Sequence, residues 1–527
     1  MLLVLPPIDL PTSAPAACEE WICGTAQEWE VDAAGPAVRG GFEDYCPESV
    51  DTPHFRIHYA IEGQHMIPGW PDPTFLQDLG AMLEDELQYF HETLDLSTPP
   101  SDGSLGGGNG LIDCYCWNFD EDRRFWAGFA RRLDYVNVGC PDSMFGLFCL
   151  NVSSMTGRTP AYIRKISAHE LFHLVQYGIS GGQSWWFAES TAEWAAGRAS
   201  TSGPIYLNTY WFLATPYLSL YDYGSRSYGA RLFWDALERL IAPNLPADIV
   251  RATCELWDYD ALISGIEERG FGTTEVLSRF AEWNAFTGTR DDGEHYAKGE
   301  TLIDVRLQAE HTSFPVVDAA IDSASVAQAA GSNYIRFIGP GTRTGLRIEI
   351  HGSAAAPCPR IISILAMDSE GQRKVAQTVP DTNGFASVTI PRWSEVQDVT
   401  LIVTNGFPNK AEGDLQFTYS GIPTDGPFPS LAPETETPLT IFPNPSPGIS
   451  TIQFNVNEFA QTNVAVFDVA GRRIVDLANG TLEPGVYRSR FEVPQESGIQ
   501  PSAGVYFVRL QTGGTTTTEK VTVLRAQ

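Results

Sequence analysis

The sequence predicts a multidomain protein in which an α+β part is followed by two all-β domains. The chain has 527 residues, which is more than one ordinary domain needs. Helical periodicity is frequent in the first part, whereas short strands separated by turns fill the last third. The changes of pattern divide the chain into five parts, which are an N-terminal extension at 1–50, an α+β domain at 51–312, a β domain at 313–424, a linker at 425–438 and a second β domain at 439–527.

The extension has some features of a remnant export signal. Met1–Leu5 is apolar, and Ala14–Ala17 resembles a cleavage site. No basic region precedes the short apolar core, so the segment falls short of the usual description of a signal peptide.

The α+β part contains recognisable helices and one clear strand. Apolar residues recur at helical spacing from Pro73 to Leu96, and Ser227–Leu237 predicts a further helix. Leu111–Cys116 alternates in the way of a strand. This mixture of elements predicts the α+β class for 51–312.

The segment Ala-His-Glu-Leu-Phe-His carries the clearest chemical signal. It lies in a predicted helix, Pro160–Gly178, with Thr159 as cap and Gly178 as the expected end. His169 and His173 are four residues apart and therefore share a helix face, where both imidazoles can bind one Zn²⁺. Glu170 can reach a water on that metal and act as general base.

A catalytic zinc usually keeps three protein ligands and one open position, so a third ligand is needed. Ser184–Trp194 predicts a second, aromatic-rich helix. Here the sequence resembles the gluzincin metallopeptidases, whose second helix often reads Trp-x-x-Glu-x-x-Ala. Trp186–Ala192 matches that pattern with Glu189 in the ligand position. The resemblance implies a zincin-like metallopeptidase core that hydrolyses peptide bonds in a protein or peptide substrate.

Two glutamates compete for the third ligand position. Glu189 lies 16 residues after His173, which is shorter than the usual gap, and Glu193 lies 20 residues after it. We favour Glu189 because the local pattern matches there and loop lengths vary. Glu193 then lies one turn further on and suits a carboxylate that orients a ligand histidine. The alternative for Glu193 is a solvated surface charge.

The resemblance extends over roughly residues 50–312 and is to secreted bacterial metalloproteases of the gluzincin kind. Thr52–Tyr59 looks like the first strand of such domains, and the order of the later helices also fits. The family often uses a tyrosine or a histidine from beyond the second helix to stabilise the oxyanion. The candidates are Tyr177, Tyr223 and Tyr228, of which we favour Tyr228, with a buried core tyrosine as the alternative. We expect His54, His58, His65 and His91 not to bind the metal.

Composition favours an extracellular protein. Acidic residues number 65 against 34 basic ones, a formal charge of −31, which argues against nucleic acid and anionic membranes as partners. Surface carboxylates could favour Ca²⁺, although the sequence shows no EF-hand pattern. No apolar stretch is long enough for a membrane-spanning helix.

The nine cysteines fit a secreted protein with disulfides. Cys18–Cys23 and Cys140–Cys149 are the simplest local pairs, although pairing cannot be deduced from sequence. The odd total leaves at least one thiol free or intermolecular.

Alternating strands occupy 313–424 and predict an Ig-like sandwich. The predicted strands are Asn333–Phe337, Gly345–Ile350, Ile361–Ala366, Ala386–Ile390 and Val399–Thr404. The proline-rich, acidic stretch 425–438 reads as a linker.

Four ordered motifs characterise the last 89 residues, 439–527. They are Ile441–Gly448, Val464–Ile474, Ser502–Leu510 and Lys520–Arg525. Together they resemble the type A C-terminal sorting domain of the type IX secretion system, and partly a flagellar-hook-cap Ig-like domain. The resemblance implies the type IX secretion machinery as a partner and a secreted or cell-surface location on a bacterium. Such domains also occur as adhesion or spacer modules.

Two functions remain open at this point. One is a secreted zinc metallopeptidase; the other is a cell-surface adhesion or structural protein with a degenerate or unused zincin core. The intact motif with a downstream glutamate favours the first.

Overall fold

The computed structural model describes residues 22–23, 46–63, 65–66, 73–103, 109–119, 126–136, 138–199, 206, 208–222, 224–339, 345–352, 360–368, 373–378, 380, 384–390, 393, 396–406, 416–424, 439–442, 444, 449–456, 460–482, 485–492 and 504–523. The chain forms two compact units. Unit 1 comprises Met1–Thr215, Leu220–Gly265 and Trp283–Val305. Unit 2 comprises Pro216–Ser219, Ile266–Glu282 and Arg306–Gln527. The protein is therefore a mixed α/β multidomain protein with several sheets, as the sequence predicts at this level.

Unit 1 contains one six-stranded sheet. Its strands are β1 Ile22–Cys23, β2 Glu48–Asp51, β3 Phe55–Tyr59, β4 Ile112–Trp117, β5 Trp126–Tyr135 and β6 Met144–Asn151. The spatial order is β1-β5-β6-β4-β3-β2. Strands β3, β4 and β6 are parallel, whereas β5 runs antiparallel to β6. The strands predicted at 52–59 and 111–116 are confirmed with small shifts of their ends.

The described α-helices lie mainly in unit 1, and the last two in chain order extend into unit 2. They are α1 Pro73–Gln88, α2 Val152–Met155, α3 Pro160–Ile179, α4 Trp185–Ala199, α5 Thr209–Ala214, α6 Ser225–Gly229, α7 Arg231–Leu240, α8 Leu245–Ala252, α9 Asp258–Glu267 and α10 Thr273–Asn284. The short 3-10 helices are Gly288–Arg290, Gly299–Thr301 and Ser323–Ser325.

Three predicted helix boundaries need correction. Gly178 does not end its helix, because α3 continues to Ile179; a Cβ at Gly178 would lie 2.7 Å from Pro100 Cδ, so this glycine allows close packing. The helix predicted from Pro73 to Leu96 is regular only as far as Gln88 and ends in a π-helical turn, Tyr89–Thr93. The helix predicted at Ser227–Leu237 is two helices, α6 and α7, which meet at Ala230.

One disulfide of unit 1 contradicts the local pairing. Cys140 bonds to Cys254 rather than to Cys149, whose buried side chain lies on β6 and takes no part in a disulfide. Cys149 lies in the middle of a central strand and cannot fold back onto a nearby turn, whereas Cys140 lies in the turn before β6. The proposed partner Cys18 lies outside the described residues.

Two sheets of unit 2 share one core. The first has β13 Phe385–Ile390, β10 Gly345–Gly352, β15 Phe417–Thr424 and β8 Val316–Ala320, in that spatial order. The second has β12 Arg373–Thr378, β11 Arg360–Asp368, β14 Val396–Asn405, β9 Ser332–Ile338 and β7 Ala309–His311. Ile348, Val388, Ile364 and Leu401 come from both sheets and pack in the same buried cluster. The five strands predicted in 313–424 are confirmed.

Most of α10 belongs to this part of unit 2. The Ser278 and Ser363 hydroxyls lie 2.9 Å apart, and the Tyr334 hydroxyl donates to the Ala281 carbonyl at 2.9 Å. These hydrogen bonds attach the helix to strands β9 and β11.

The C-terminal part of unit 2 has a separate core. Three strands form one sheet in the order β16 Leu439–Phe442, β17 Ile449–Val456 and β20 Gly485–Glu492. Four form the other, β19 Arg473–Leu482, β18 Ala460–Asp468, β21 Gly504–Thr512 and β22 Thr515–Val523. Ile452, Phe454, Val466, Val508 and Val521 are buried together between them. The predicted linker 425–438 lies outside the described residues.

Among the described helices, none combines the length and the apolar character that crossing a membrane requires.

Candidate metal centre

Helices α3 and α4 bring three potential ligands to one point in unit 1. His169 Nε2 lies 3.1 Å from His173 Nε2 and 3.1 Å from Glu189 Oε2. His173 Nε2 lies 3.6 Å from the same carboxylate oxygen. All three side chains are buried. Within the part of the chain that the structure describes, these residues form the one group of three suited to holding a metal ion.

The spacing of these atoms fits a tetrahedral zinc ion. Zinc binds nitrogen and oxygen ligands at about 2.0–2.1 Å, so neighbouring donor atoms in a tetrahedron lie about 3.3 Å apart. The three measured separations, 3.1, 3.1 and 3.6 Å, lie on either side of that value. Two imidazoles and one carboxylate also match a common ligand set of catalytic zinc.

The charges around His169 favour a cation at this point. Burial alone would lower the pKa of His169, but its hydrogen bonds to Glu189 and Glu193 raise the pKa to about 9. Burial likewise opposes ionisation of Glu189, yet the two histidines hold the pKa of this carboxyl below its usual value. A positive charge at the centre, carried by protons or by a metal ion, is therefore electrostatically stabilised.

Glu193 lies behind His169. Its Oε1 is 3.2 Å from His169 Nδ1, on the opposite side of the imidazole from the ligand nitrogen. Glu193 is fully buried, so the interpretation as a solvated surface charge is wrong. A carboxylate in this position is able to hold the orientation of the ring, and the role of Glu193 at a metal stays a prediction.

Lys165 supplies a countercharge to Glu193. The Lys165 ammonium lies 2.5 Å from Glu193 Oε2 and donates to the Glu193 carbonyl at 2.9 Å. Burial opposes ionisation of Glu193, but Lys165 and then His169 lower the pKa of Glu193 to about 2. Burial lowers the pKa of Lys165 to about 8, so the ammonium form prevails at neutral pH. Both members of this fully buried pair are therefore charged.

His173 is held in a different way. Its Nδ1 lies 2.7 Å from Gln176 Oε1. The Gln176 amide donates in turn to the Ala188 carbonyl at 2.9 Å and to the Thr191 hydroxyl at 2.7 Å on α4. The second ligand ring is thus positioned by a hydrogen-bonded chain that joins the two helices.

Glu170, the predicted general base, faces strand β5. A Cβ at Gly128 would lie 2.7 Å from Glu170 Cγ and 2.8 Å from its Oε1. Gly128 is therefore needed for the close approach of the strand to this side chain. Glu170 is buried, and its carboxylate lies near enough to His169 to favour the positively charged form of that imidazole.

The structure brings two of the three candidate tyrosines close to the histidines. The Tyr228 ring centroid lies 6.1 Å from that of His169, and Tyr177 stacks at 6.4 Å on His173. The Tyr177 hydroxyl donates to the Ala130 carbonyl at 3.3 Å. Tyr223 lies outside the described residues. The role of Tyr228 stays a prediction.

The other histidines have partners away from the centre. His54 pairs with Glu84, His58 with Asp113, His65 with the Asn118 carbonyl and His91 with the Leu96 carbonyl. The sequence interpretation missed Lys165 and Gln176. Both carried a usable signal, because a polar residue four before His169 and three after His173 lies on the ligand face of an apolar helix.

Lys165→Met is expected to leave the Glu193 carboxylate buried without its ammonium partner. We expect a loss of stability of roughly 3–5 kcal/mol, as for breaking other buried ion pairs. Zinc affinity is expected to fall about 10–100-fold because His169 is then less well oriented. Thermal unfolding and chelator competition measure the two effects.

A matched control for this variant lies on the same helix. Ser167 is buried too, but its hydroxyl donates to Glu86 at 2.9 Å. Ser167→Ala should leave zinc affinity unchanged. In a Glu193→Gln background, Lys165→Met should have a much smaller effect on zinc. Equal losses in zinc affinity for Lys165→Met and Ser167→Ala would contradict the assignment.

The tail of the chain matches a known family. Residues 440–524 match the family described as the secretion system C-terminal sorting domain. The protein therefore carries a type IX secretion sorting domain and is a secreted or cell-surface protein of a bacterium. The type IX secretion machinery is its implied partner. No curated protein matches the chain.

Solved structures are similar only over parts of the chain. Latent dimeric PorU from Porphyromonas gingivalis is 16% identical, with 40% of this chain and 20% of PorU covered at a TM-score of 0.16. A β-1,2-glucanase from Parabacteroides distasonis is 10% identical, with 41% and 37% covered at 0.14. A tetra-tandem repeat of a large adhesion protein is 17% identical, with 38% and 50% covered at 0.13. The chain thus spans no more than half of these proteins, and similarity at this level does not define a fold.

Proposed function

We propose that this protein is a secreted zinc-dependent metallopeptidase. The observation that carries the proposal is the convergence of His169, His173 and Glu189 at separations of 3.1–3.6 Å, with Glu170 on the same helix turn. The same proposal includes a zincin-like core and two Ig-like β domains. The parallel sheet with an antiparallel β5 beside α3 supports the first, and the paired sheets with shared cores support the second.

Each residue has a separate role in this proposal. His169, His173 and Glu189 would hold the zinc ion, and Glu193 would orient His169. A bound zinc ion polarises a peptide carbonyl and acidifies a water molecule. Glu170 accepts the proton of the attacking water and passes it to the leaving amine. Tyr228 donates a hydrogen bond to the oxyanion as charge develops on the former carbonyl oxygen.

Glu170→Gln tests the proposed chemistry most cleanly. Gln keeps the size of the side chain but cannot accept the proton, so peptide hydrolysis should fall by roughly 10²–10⁴-fold while zinc content stays unchanged. The measurements are cleavage of a broad peptide library and elemental analysis of the same protein batch.

The matched control is the same exchange at another buried carboxyl of unit 1. Glu86 lies on α1, burial raises the pKa of its carboxyl well above the usual value, and its Oε1 accepts a hydrogen bond from the Ser167 hydroxyl at 2.9 Å. Glu86→Gln should keep full activity. Full hydrolysis by the Glu170→Gln variant would exclude Glu170 as the base.

The second candidate is a surface adhesion or structural protein with an unused metal centre. The β domains favour it, since they fill more than a third of the chain. It predicts a protein that binds zinc but cleaves no member of the peptide library.

A further inference from the structure

A five-residue loop connects the two helices of the metal centre. Ser180–Ser184 begins where α3 ends, and α4 starts at Trp185. His169 and His173 lie before the loop, and Glu189 lies in the second turn after it. The conformation of this loop therefore sets where the Glu189 carboxylate lies relative to the two imidazoles.

The first half of the loop is held by the turn before β6 and by residues of β5 and β6. The Gly181 amide donates to the Asp142 carbonyl at 2.9 Å, and Arg132 donates to the Gly181 carbonyl. A Cβ at Gly181 would collide with the side chain of Met144. Gly181 is thus enclosed by the turn before β6, by the first residue of β6 and by the Arg132 side chain of β5.

The second half of the loop is held by residues that come later in the sequence. The Gln183 amide donates to the Thr253 hydroxyl at 2.8 Å. The backbone amide of Ser184 donates to Asp258 Oδ2 at 2.7 Å, and its hydroxyl donates to the same oxygen. Both partners lie at the junction between α8 and α9.

The two segments that hold the loop are joined covalently. Cys140 lies two residues before Asp142, and Cys254 follows Thr253 directly. Their disulfide brings the two Cα atoms to 5.2 Å across a sequence separation of 114. One bond therefore connects the anchors of both halves of the loop.

We propose that the Cys140–Cys254 disulfide positions Glu189 for metal binding by clamping the Ser180–Ser184 loop, so that the metal centre is complete only after this bond has formed. The inference rests on the metal centre of the proposed function. Forming the bond removes two protons and two electrons from the thiols, and an oxidising protein disulfide accepts them and becomes a dithiol. Such exchange takes place outside the cytoplasm, on the route of an exported protein.

This arrangement links export to the chemistry of the site. Before export the chain has reduced Cys140 and Cys254, and its loop anchors are not joined. Zinc then binds weakly, and the peptidase stays inactive inside the bacterial cell that makes it. After export the disulfide forms and the three donor atoms reach their final spacing.

The test compares the full chain with its Cys140→Ser/Cys254→Ser variant. Zinc affinity is measured by competition with a chelator, and the ligand geometry by the visible absorption of the Co²⁺-loaded protein, both well below the unfolding temperature. We expect zinc affinity to fall about 10–100-fold, as for other losses of support around metal ligands. The Co²⁺ absorption should change in shape, which a general loss of stability would not produce.

Two further variants separate positioning from stability. Ile57→Val removes a methylene from the core of β3, far from β5 in the strand order, and should lower the melting temperature without changing zinc affinity. Gln183→Ala should weaken zinc binding in the native chain, and should have a smaller effect in the chain without the disulfide. This single variant keeps the test usable if the double serine variant does not fold.

Three results would overturn the inference. The first is an unchanged zinc affinity and Co²⁺ spectrum without the disulfide. The second is an equal loss of affinity in Ile57→Val at a matched loss of stability. In the third, Gln183→Ala leaves zinc affinity unchanged. A wild-type chain that takes up neither Zn²⁺ nor Co²⁺ would overturn the proposed function as well, so the two failures are distinguishable.

Discussion

His169→Ala and His173→Ala are each expected to empty the metal centre. Each change removes one of three buried ligands and leaves two donors, which is too few for tight binding by a catalytic site. Elemental analysis of the purified protein should give about one zinc per chain for the wild type and almost none for either variant. Full zinc in either variant would contradict the site.

The two glutamates of α4 are expected to differ. Glu189→Ala should also lose the metal, because the Glu189 carboxylate oxygen lies 3.1 and 3.6 Å from the two ligand nitrogens. Glu193→Ala should weaken zinc binding by about 10–100-fold only, since Glu193 contacts the far side of His169. If Glu193→Ala empties the site and Glu189→Ala does not, the third ligand is Glu193.

Removal of the sorting domain is expected to strand the protein in the periplasm of a host with a type IX system. The change is a stop after Thr424, which keeps β15 whole, whereas a stop near Ser420 would cut this strand. The reason is that residues 440–524 are the sorting domain and have a separate core. Fractionation of cells and medium measures the outcome.

The same truncation should spare the metal centre. All candidate ligands lie in unit 1, so the shortened chain should keep its zinc and any peptidase activity. A control fusion places residues 439–527 after an exported reporter and should deliver the reporter to the surface or medium. Normal delivery of the truncated chain would show that the domain does not direct its export.

The sequence predicts those features that depend on local pattern. The His-Glu-x-x-His spacing places both histidines on one face of α3, and Thr159 caps this helix by accepting from the Tyr162 amide. Five strands of 313–424 follow from local pattern, whereas the sequence predicts no strand at β8, β12 or β15. The tail motifs predict the sorting domain that residues 440–524 match.

Features set by contacts between distant segments could not be predicted. The Cys140–Cys254 bond joins residues 114 apart, and no local spacing indicates it. Gly178 allows close packing against Pro100, a residue distant in sequence, and does not end α3, which is the role that a glycine near a helix end usually predicts. The charge pair of Lys165 and Glu193 appears only when two helices pack together.

Anomalous diffraction at the zinc absorption edge, from crystals of the full chain, tests the central claim most directly. We predict one strong peak about 2.0–2.1 Å from His169 Nε2, His173 Nε2 and the nearest Glu189 oxygen. The same peak should persist in Glu170→Gln crystals. No peak between these three side chains after exposure to zinc, or peaks only at surface carboxylates, would contradict the account.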